Sequence, residues 1–142
     1  MSRSFGVRSF TTRPPIVTVP YAPHSEVMPR ACAVVHQGGV GTTGQAMLAG
    51  RPMLVVPFSH DQPDNADRLR RRGVARVSAG SSVSDEAFTR ELRILRADEP
   101  LAARAQAMAA RVRQEPGTAG AADAIEALLV RSGRVSKVAT SA

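Results

Sequence analysis

The chain has 142 residues, of which 43% are hydrophobic and 22% charged, a composition typical of one globular domain with a buried core. A single cysteine, Cys32, excludes an internal disulfide framework, and no apolar run reaches the ~18 residues that a membrane span requires. The three histidines are scattered without metal-ligand spacing, so the sequence predicts no metal site. We expect a cytoplasmic protein in which Cys32 is a buried small hydrophobic residue beside the apolar segment 33–35.

The formal net charge of +7 arises from 19 Lys and Arg against 12 Asp and Glu, and nearly all of the cations are arginine. Such a balance allows a nucleic-acid partner, but four Phe and one Tyr offer few rings for bases to stack on. The arginines are also spread over the whole chain. We therefore interpret them as solvated helix faces and expect neither a nucleic-acid nor a membrane partner; a basic nucleic-acid binder is an alternative that rests on charge alone.

Three segments are distinguished by composition. Residues 1–13 are rich in Ser and Arg and lack acids, and we expect them to be irregular or disordered rather than a targeting signal. Residues 14–131 carry the periodic apolar pattern of a folded domain. Residues 132–142 are predicted to form a flexible tail.

Short apolar runs within the domain predict four strands, at residues 16–19, 33–36, 53–56 and 74–77. Helical periodicity predicts helices at residues 26–30, 42–49, 61–73, 85–96, 98–113 and 121–130. Gly50 stands where a helix C-cap is expected, and Asp61, Ser84 and Asp98 stand at helix starts.

Alternating strands and helices predict an α/β fold with a parallel sheet and helices on both of its faces. The strands are almost continuously apolar, as buried parallel strands are. Doubly wound domains usually carry five or six strands, and the opening βα units are not found in this sequence. The expectation is therefore an incomplete doubly wound parallel sheet of about four strands.

One glycine-rich segment separates the second predicted strand from its helix: His36-Gln37-Gly38-Gly39-Val40-Gly41-Thr42-Thr43-Gly44. Glycines let the backbone approach a ligand closely, and the unpaired N–H groups at a helix N-terminus attract an anion. The segment therefore predicts binding of a phosphorylated ligand.

Residues 39–44 match the G-x-G-x-x-G pattern of dinucleotide-binding proteins, with Asp61 in the place of the acidic residue that binds ribose. Two features argue against a nicotinamide cofactor. The polar pair His36-Gln37 intervenes between strand and glycines, and Asp61 lies within a compact polar cluster at residues 60–65. An NAD-binding Rossmann protein remains the alternative enzyme.

From Tyr21 to about Val77 the chain resembles the nucleotide-sugar-binding half of GT-B-fold glycosyltransferases. The resemblance is to UDP-glycosyltransferases and bacterial macrolide glycosyltransferases, including erythromycin-type ones. The matching residues are Tyr21-Ala22-Pro23, His36-Gln37-Gly38-Gly39-Val40-Gly41-Thr42, Ala46 with Gly50 and Pro52, Pro57, and Asp61-Gln62-Pro63-Asp64-Asn65-Ala66.

The resemblance implies a donor site made of three groups. His36, with backbone N–H groups of Gly38, Gly39, Val40 and Gly41 and a hydroxyl of Thr42 or Thr43, would bind the donor's diphosphate. Asp61 and Gln62 would bind the hydroxyls of the donor sugar. The base and ribose would lie at Tyr21, Pro23 and Gln45. Asn65 is expected to fix the start of its helix rather than touch the ligand.

The implied reaction is the inverting transfer of a hexosyl group from a UDP- or dTDP-sugar to a small hydroxylated acceptor, as in antibiotic biosynthesis. This chain would be the C-terminal half of a GT-B enzyme, with residues 14–131 as a donor-binding domain fragment. The acceptor-binding N-terminal domain and its catalytic base have no counterpart in the sequence, so we assign no catalytic residue here. Neither cofactor nor metal is implied. A non-catalytic nucleotide-sugar-binding module, or a remnant of an enzyme, is the alternative.

Overall fold

The computed structural model describes residues 17–78 and 84–132 of the chain. The irregular segment predicted at residues 1–13 lies outside these ranges, and so does the tail predicted at residues 132–142 apart from its first residue.

Three short strands and six α-helices make up this part of the chain. The strands are β1 (Val34–His36), β2 (Met53–Val55) and β3 (Ala75–Val77). The helices are α1 (His24–Val27), which runs into a 3-10 turn (Met28–Arg30), α2 (Val40–Ala49), α3 (Gln62–Arg71), α4 (Asp85–Ala97), α5 (Glu99–Val112) and α6 (Gly117–Arg131).

The strands form a parallel sheet in the order β1-β2-β3. Val34 pairs with Met53 in β2, and His36 pairs with Val55, so the carboxyl ends of β1 and β2 meet at one edge. The loop that enters α2 and the loop that enters α3 both leave from this edge. Polar residues in the two loops are therefore brought together by the sheet itself.

Helices cover both faces of the sheet, as predicted. Met53 and Val55 point to one face, where they pack with Ala46 of α2, Leu69 of α3 and other small or apolar residues. The alternate residue of β2, Leu54, points to the opposite face and packs with Leu95 of α4. A central strand that is buried on both sides explains why segment 53–55 is apolar without alternation.

The first predicted strand is wrong. Residues 17–19 form no strand, and Val17 and Val19 are 83% and 53% exposed. A β-branched run becomes a strand only where it gains ladder hydrogen bonds and buries a face, and this run does neither. The sheet of the described residues therefore has three strands, with β1 at an edge, where Val35 remains 44% exposed.

The burial predicted for Cys32 is also wrong, because its side chain is exposed. Cys32 lies in a bend two residues before β1 begins, so it is outside the ladder that buries Val34. Proximity to an apolar run did not place it in the core.

Four predicted helix boundaries can be compared with the caps observed. Gly50 ends α2 in the left-handed conformation with φ 66°, as expected. Ser84 and Asp98 cap α4 and α5 by accepting the N–H groups of Ala87 and Leu101. Asp61 precedes α3, but its backbone is helical (ψ −11°) rather than extended as at a usual N-cap, and its side chain makes no capping bond to the backbone. Its Oδ2 accepts from the side chain of Asn65.

We predict that Gly50→Ala destabilises the domain by about 2 kcal/mol, since the left-handed conformation alone costs an alanine ~1–2 kcal/mol. The added methyl would also lie 3.0 Å from Cβ of Ala109, where α2 approaches α5. Thermal or urea unfolding measures this. The matched control is Gly44→Ala in the interior of α2, where nothing lies within 4 Å of an added Cβ. Helix propensity favours that variant by ~0.5–1 kcal/mol, so equal stabilities for the two variants would contradict the account.

Candidate functional site

His36 ends β1 with its side chain on the face that packs against α2 and α3, and it is only 8% exposed. Its Nδ1 accepts the backbone N–H of Gly38 at 3.1 Å. An imidazole nitrogen that accepts a hydrogen bond carries no proton, so the proton of the neutral ring is on Nε2. That Nε2 is buried and has no hydrogen-bond partner within residues 17–78 and 84–132.

Burial lowers the pKa of His36 below the ordinary value for histidine, because the cationic ring loses its hydration. Near neutral pH the ring is therefore neutral, with one unsatisfied N–H. An unsatisfied buried donor costs ~1–3 kcal/mol, which a ligand that accepts from it would offset.

Gly38 connects this histidine to the rest of the edge. Its φ of 94° is in the left-handed region, and a Cβ would lie 3.0 Å from Cγ1 of Val55 and 3.1 Å from the carbonyl oxygen of Gln62. Only glycine fits here without strain. Its N–H is already donated to His36, so in this conformation Gly38 shapes the loop and does not offer that N–H to a ligand.

The N-terminus of α2 follows directly. Gly39 is the N-cap, with no side-chain cap, and the first intrahelical bond runs from the Thr43 N–H to the Gly39 carbonyl at 2.9 Å. The N–H groups of Val40, Gly41 and Thr42 consequently have no acceptor in the helix, which makes this end of α2 attractive to an anion. Space is open around Gly41, where nothing lies within 4 Å of a hypothetical Cβ.

The two threonines predicted to contact phosphate are placed differently. Thr42 is half-buried in the first turn of α2. Thr43 is 7% exposed and lines a cavity of about 480 Å³ between α2, α3 and α5. Its Oγ1 is buried and has no hydrogen-bond partner in the described part of the chain.

Asp61 and Gln62 stand at the start of α3, across the edge from the glycine loop. Gln62 Oε1 accepts the N–H groups of Phe58 and Ser59 at 2.9 and 3.3 Å, which leaves its amide NH2 group for other partners. Asp61 is exposed. The residue before it, His60, has φ 58°, an uncommon backbone conformation for a residue other than glycine.

Asn65 joins the two loops. Its Nδ2 donates to the carbonyl of Gly38 at 2.9 Å and to Oδ2 of Asp61 at 2.8 Å. The sequence predicted a local role at the helix start for this residue. The four-residue spacing accounts for the contact with Asp61 along α3, but no sequence signal indicated the contact with Gly38, 27 positions earlier.

Tyr21, Pro23 and Gln45 are brought together, as three of the residues that line an open cleft of about 690 Å³. Tyr21 is 80% exposed, so its ring is free to contact a ligand. Gln45 is one helical turn after Gly41, so the cleft lies on the same face of α2 as that glycine.

Two features of the described ranges bear on cofactor and membrane predictions. No three His, Cys, Asp or Glu side chains of these ranges are grouped closely enough to hold a metal ion. Among the helices of the same ranges, none combines the length and hydrophobicity of a membrane span.

We predict that the free energy of unfolding falls as the pH is lowered below ~6.5, because the unfolded chain then binds a proton that His36 in the folded chain resists. The contribution of one such group has a slope of up to ~1.4 kcal/mol per pH unit. Urea unfolding between pH 5 and 8 measures it. His36→Gln removes this slope, whereas His24→Gln, at an exposed histidine, retains it; parallel profiles for the two variants would refute the assignment.

Comparison with known proteins identifies relatives that match most of this chain. A family model described as "Erythromycin biosynthesis protein CIII-like, C-terminal domain" matches residues 7–128. The O-mycaminosyltylonolide 6-deoxyallosyltransferase of Streptomyces fradiae is 41% identical over 109 residues, which are 76% of this chain and 26% of that protein.

Solved structures of glycosyltransferases are also similar to this chain. The glycotransferase of kitacinnamycin is 31% identical with a TM-score of 0.69 and is matched over 75% of this chain and 28% of its own. Glycosyltransferase VinC, solved in complex with dTDP, is 30% identical with a TM-score of 0.63, over 68% of this chain and 24% of its own.

The chain thus spans about a quarter of the length of these relatives. They favour the GT-B interpretation over the NAD-binding alternative. With the family model covering most of the sequence, the chain belongs to the erythromycin biosynthesis protein CIII-like family, of which it represents the C-terminal domain.

Proposed function

We propose that this chain is the donor-binding domain of an inverting glycosyltransferase. The observation that carries the proposal is the junction of β1 and α2: three backbone N–H groups at the N-terminus of α2 have no intrahelical acceptor, and the Nε2 of His36, at the end of the strand that leads into α2, has no hydrogen-bond partner among the described residues. Neutral donors arranged around a helix N-terminus suit a diphosphate. Because Nε2 is covered, its contact with phosphate requires a small outward movement of the groups around it.

We propose that the sugar and the nucleoside of the donor bind to the loops on either side of the diphosphate site. A sugar bound at Asp61 and Gln62 would meet one free carboxylate oxygen and a free amide NH2 group, which together accept from and donate to hydroxyls. The nucleoside would occupy the cleft of Tyr21, Pro23 and Gln45. The dTDP complex of VinC supports a nucleoside diphosphate as the ligand class, with UDP- and dTDP-sugars as the candidates.

In the proposed reaction, an acceptor hydroxyl attacks the anomeric carbon while the bond from that carbon to the β-phosphate oxygen breaks. The configuration inverts, the hydroxyl proton passes to a base, and the bonding electrons remain on the diphosphate. Here the N–H groups of α2 and His36 would stabilise the charge that develops on the leaving diphosphate.

The base and the acceptor site are proposed to lie in a second domain, because this chain spans only about a quarter of its relatives. The acceptor class that we propose is a small hydroxylated molecule. The glycosyltransferase names of the relatives support the assignment, and the reaction that we propose uses neither a metal nor a cofactor.

We predict that Gly41→Ala weakens binding of UDP or dTDP at least tenfold, a loss of ~1.4 kcal/mol. A Cβ in the first turn tilts toward the helix N-terminus, where the phosphates would approach. Calorimetric titration with UDP, dTDP, UDP-glucose, dTDP-glucose and NAD measures this. Gly44→Ala is the control, because it adds the same methyl to the same helix, also in open space, one turn further from the site.

Two results would count against the proposal. Binding of NAD with no affinity for either nucleoside diphosphate would reject the donor class. Equal affinities for the two glycine variants would place the diphosphate elsewhere.

A further inference from the structure

We propose that Asn65 is a positioning residue that sets the recognition of the donor sugar by holding Asp61 in register with the diphosphate loop. This inference rests on the proposed function, because it concerns how the same site tells a sugar nucleotide from a free nucleoside diphosphate. Asn65 itself would not contact the ligand.

The first observation is the use of both amide hydrogens. Nδ2 of Asn65 has two N–H bonds, and the two neighbouring oxygens, the Gly38 carbonyl and Asp61 Oδ2, lie at 2.9 and 2.8 Å. Both neighbours are acceptors only, which requires the NH2 end of the amide to face them. A hydroxyl at this position has one proton for two acceptors, and a carboxylate has none and adds a charge beside Asp61.

The second observation is the difference in freedom between the two acceptors. Gly38 is buried, donates its N–H to His36, and has a positive φ at a position where an added Cβ would lie 3.0 Å from Cγ1 of Val55. Asp61 is exposed and makes no capping bond to α3. The amide therefore joins an exposed side chain to the backbone carbonyl of a buried residue.

Together these bonds form one continuous chain from Asp61 through Asn65 and Gly38 to His36. Its ends are the group assigned to the sugar and the group assigned to the diphosphate. With Oδ2 of Asp61 bound to Asn65, the other carboxylate oxygen is presented to a sugar hydroxyl in a fixed place. The ordering of Asp61 is then completed before the ligand arrives, which saves the side-chain entropy that binding would otherwise cost.

A double-mutant cycle tests this, with Asn65→Ala, Asp61→Ala and the double variant titrated against UDP-glucose and UDP, or against the dTDP pair if that nucleotide binds more tightly. We expect each single variant to weaken binding of the sugar nucleotide about tenfold and that of the free diphosphate less than about threefold. The double variant should be no weaker than Asp61→Ala alone, because Asn65 acts through that carboxylate.

A purely structural role for Asn65 predicts a different pattern of affinity losses. The two ligands would then lose affinity equally, and the losses of the single variants would multiply in the double variant; either result overturns the inference. Asn65→Ser, which keeps one donor, provides a second test if Asn65→Ala does not fold. Its ratio of the two affinities should lie between those of the wild type and Asp61→Ala, and an unchanged ratio again overturns the inference.

Failure of the proposed function gives a distinct result. A wild-type chain that binds neither UDP- nor dTDP-glucose, nor the free diphosphates, rejects the donor site and the role of Asn65 with it. A wild-type chain that binds them while the cycle is additive rejects the role of Asn65 alone.

Discussion

The hydrogen bond from the Gly38 N–H to Nδ1 of His36 is the interaction on which the candidate site depends. It places the ring proton on Nε2, in a buried position that has no partner. It also turns the backbone sharply at the end of β1, in a conformation that only glycine tolerates beside Val55 and Gln62. The chain then enters α2, whose first N–H groups have no intrahelical acceptor. Fold and chemistry are therefore set by the same three residues, His36 to Gly38.

The His36 side chain contributes no net charge to the candidate site near neutral pH. Burial keeps His36 neutral by lowering its pKa, so the positive potential of the site comes from the dipoles of N–H groups rather than from a cation. Such donors bind a diphosphate without an ion pair and are already oriented when negative charge grows on a leaving group. This division of roles is consistent with the proposal that another domain supplies the base and the acceptor site.

The sequence predicted the parts of the fold that local chemistry decides. Gly50, Ser84 and Asp98 end or begin helices because their own conformations or side chains satisfy the helix termini. The α/β class and the covering of both sheet faces followed from the alternation of strands and helices, together with the almost continuously apolar strands. The strand expected at 16–19 and the burial of Cys32 failed, because both depend on which neighbours are present rather than on the residues themselves.

In the site, too, contacts that depend on tertiary neighbours could not be predicted from the sequence. A single motif, the glycine segment after His36, was enough to indicate a helix start whose first N–H groups have no intrahelical acceptor, and the cleft of Tyr21, Pro23 and Gln45 assembles residues that the resemblance grouped. The sequence predicted only a local role for Asn65 at the start of α3. Its hydrogen bond to Gly38 could not be predicted, because that contact depends on the register of β1 against β2. Two features could not be predicted from residue type or spacing. One is that the N–H of Gly38 is donated to His36, and the other is that the hydroxyl of Thr43 is buried.

The most direct measurement of the central claim is a calorimetric titration of the wild-type chain and His36→Ala with UDP and dTDP at pH 7.5. If Nε2 donates to the diphosphate, the variant should bind at least tenfold more weakly, because one hydrogen bond to a charged group contributes ~1.5–3 kcal/mol. An affinity unchanged by the substitution, in a variant that remains folded, would contradict the assignment of His36 and the donor site built around it.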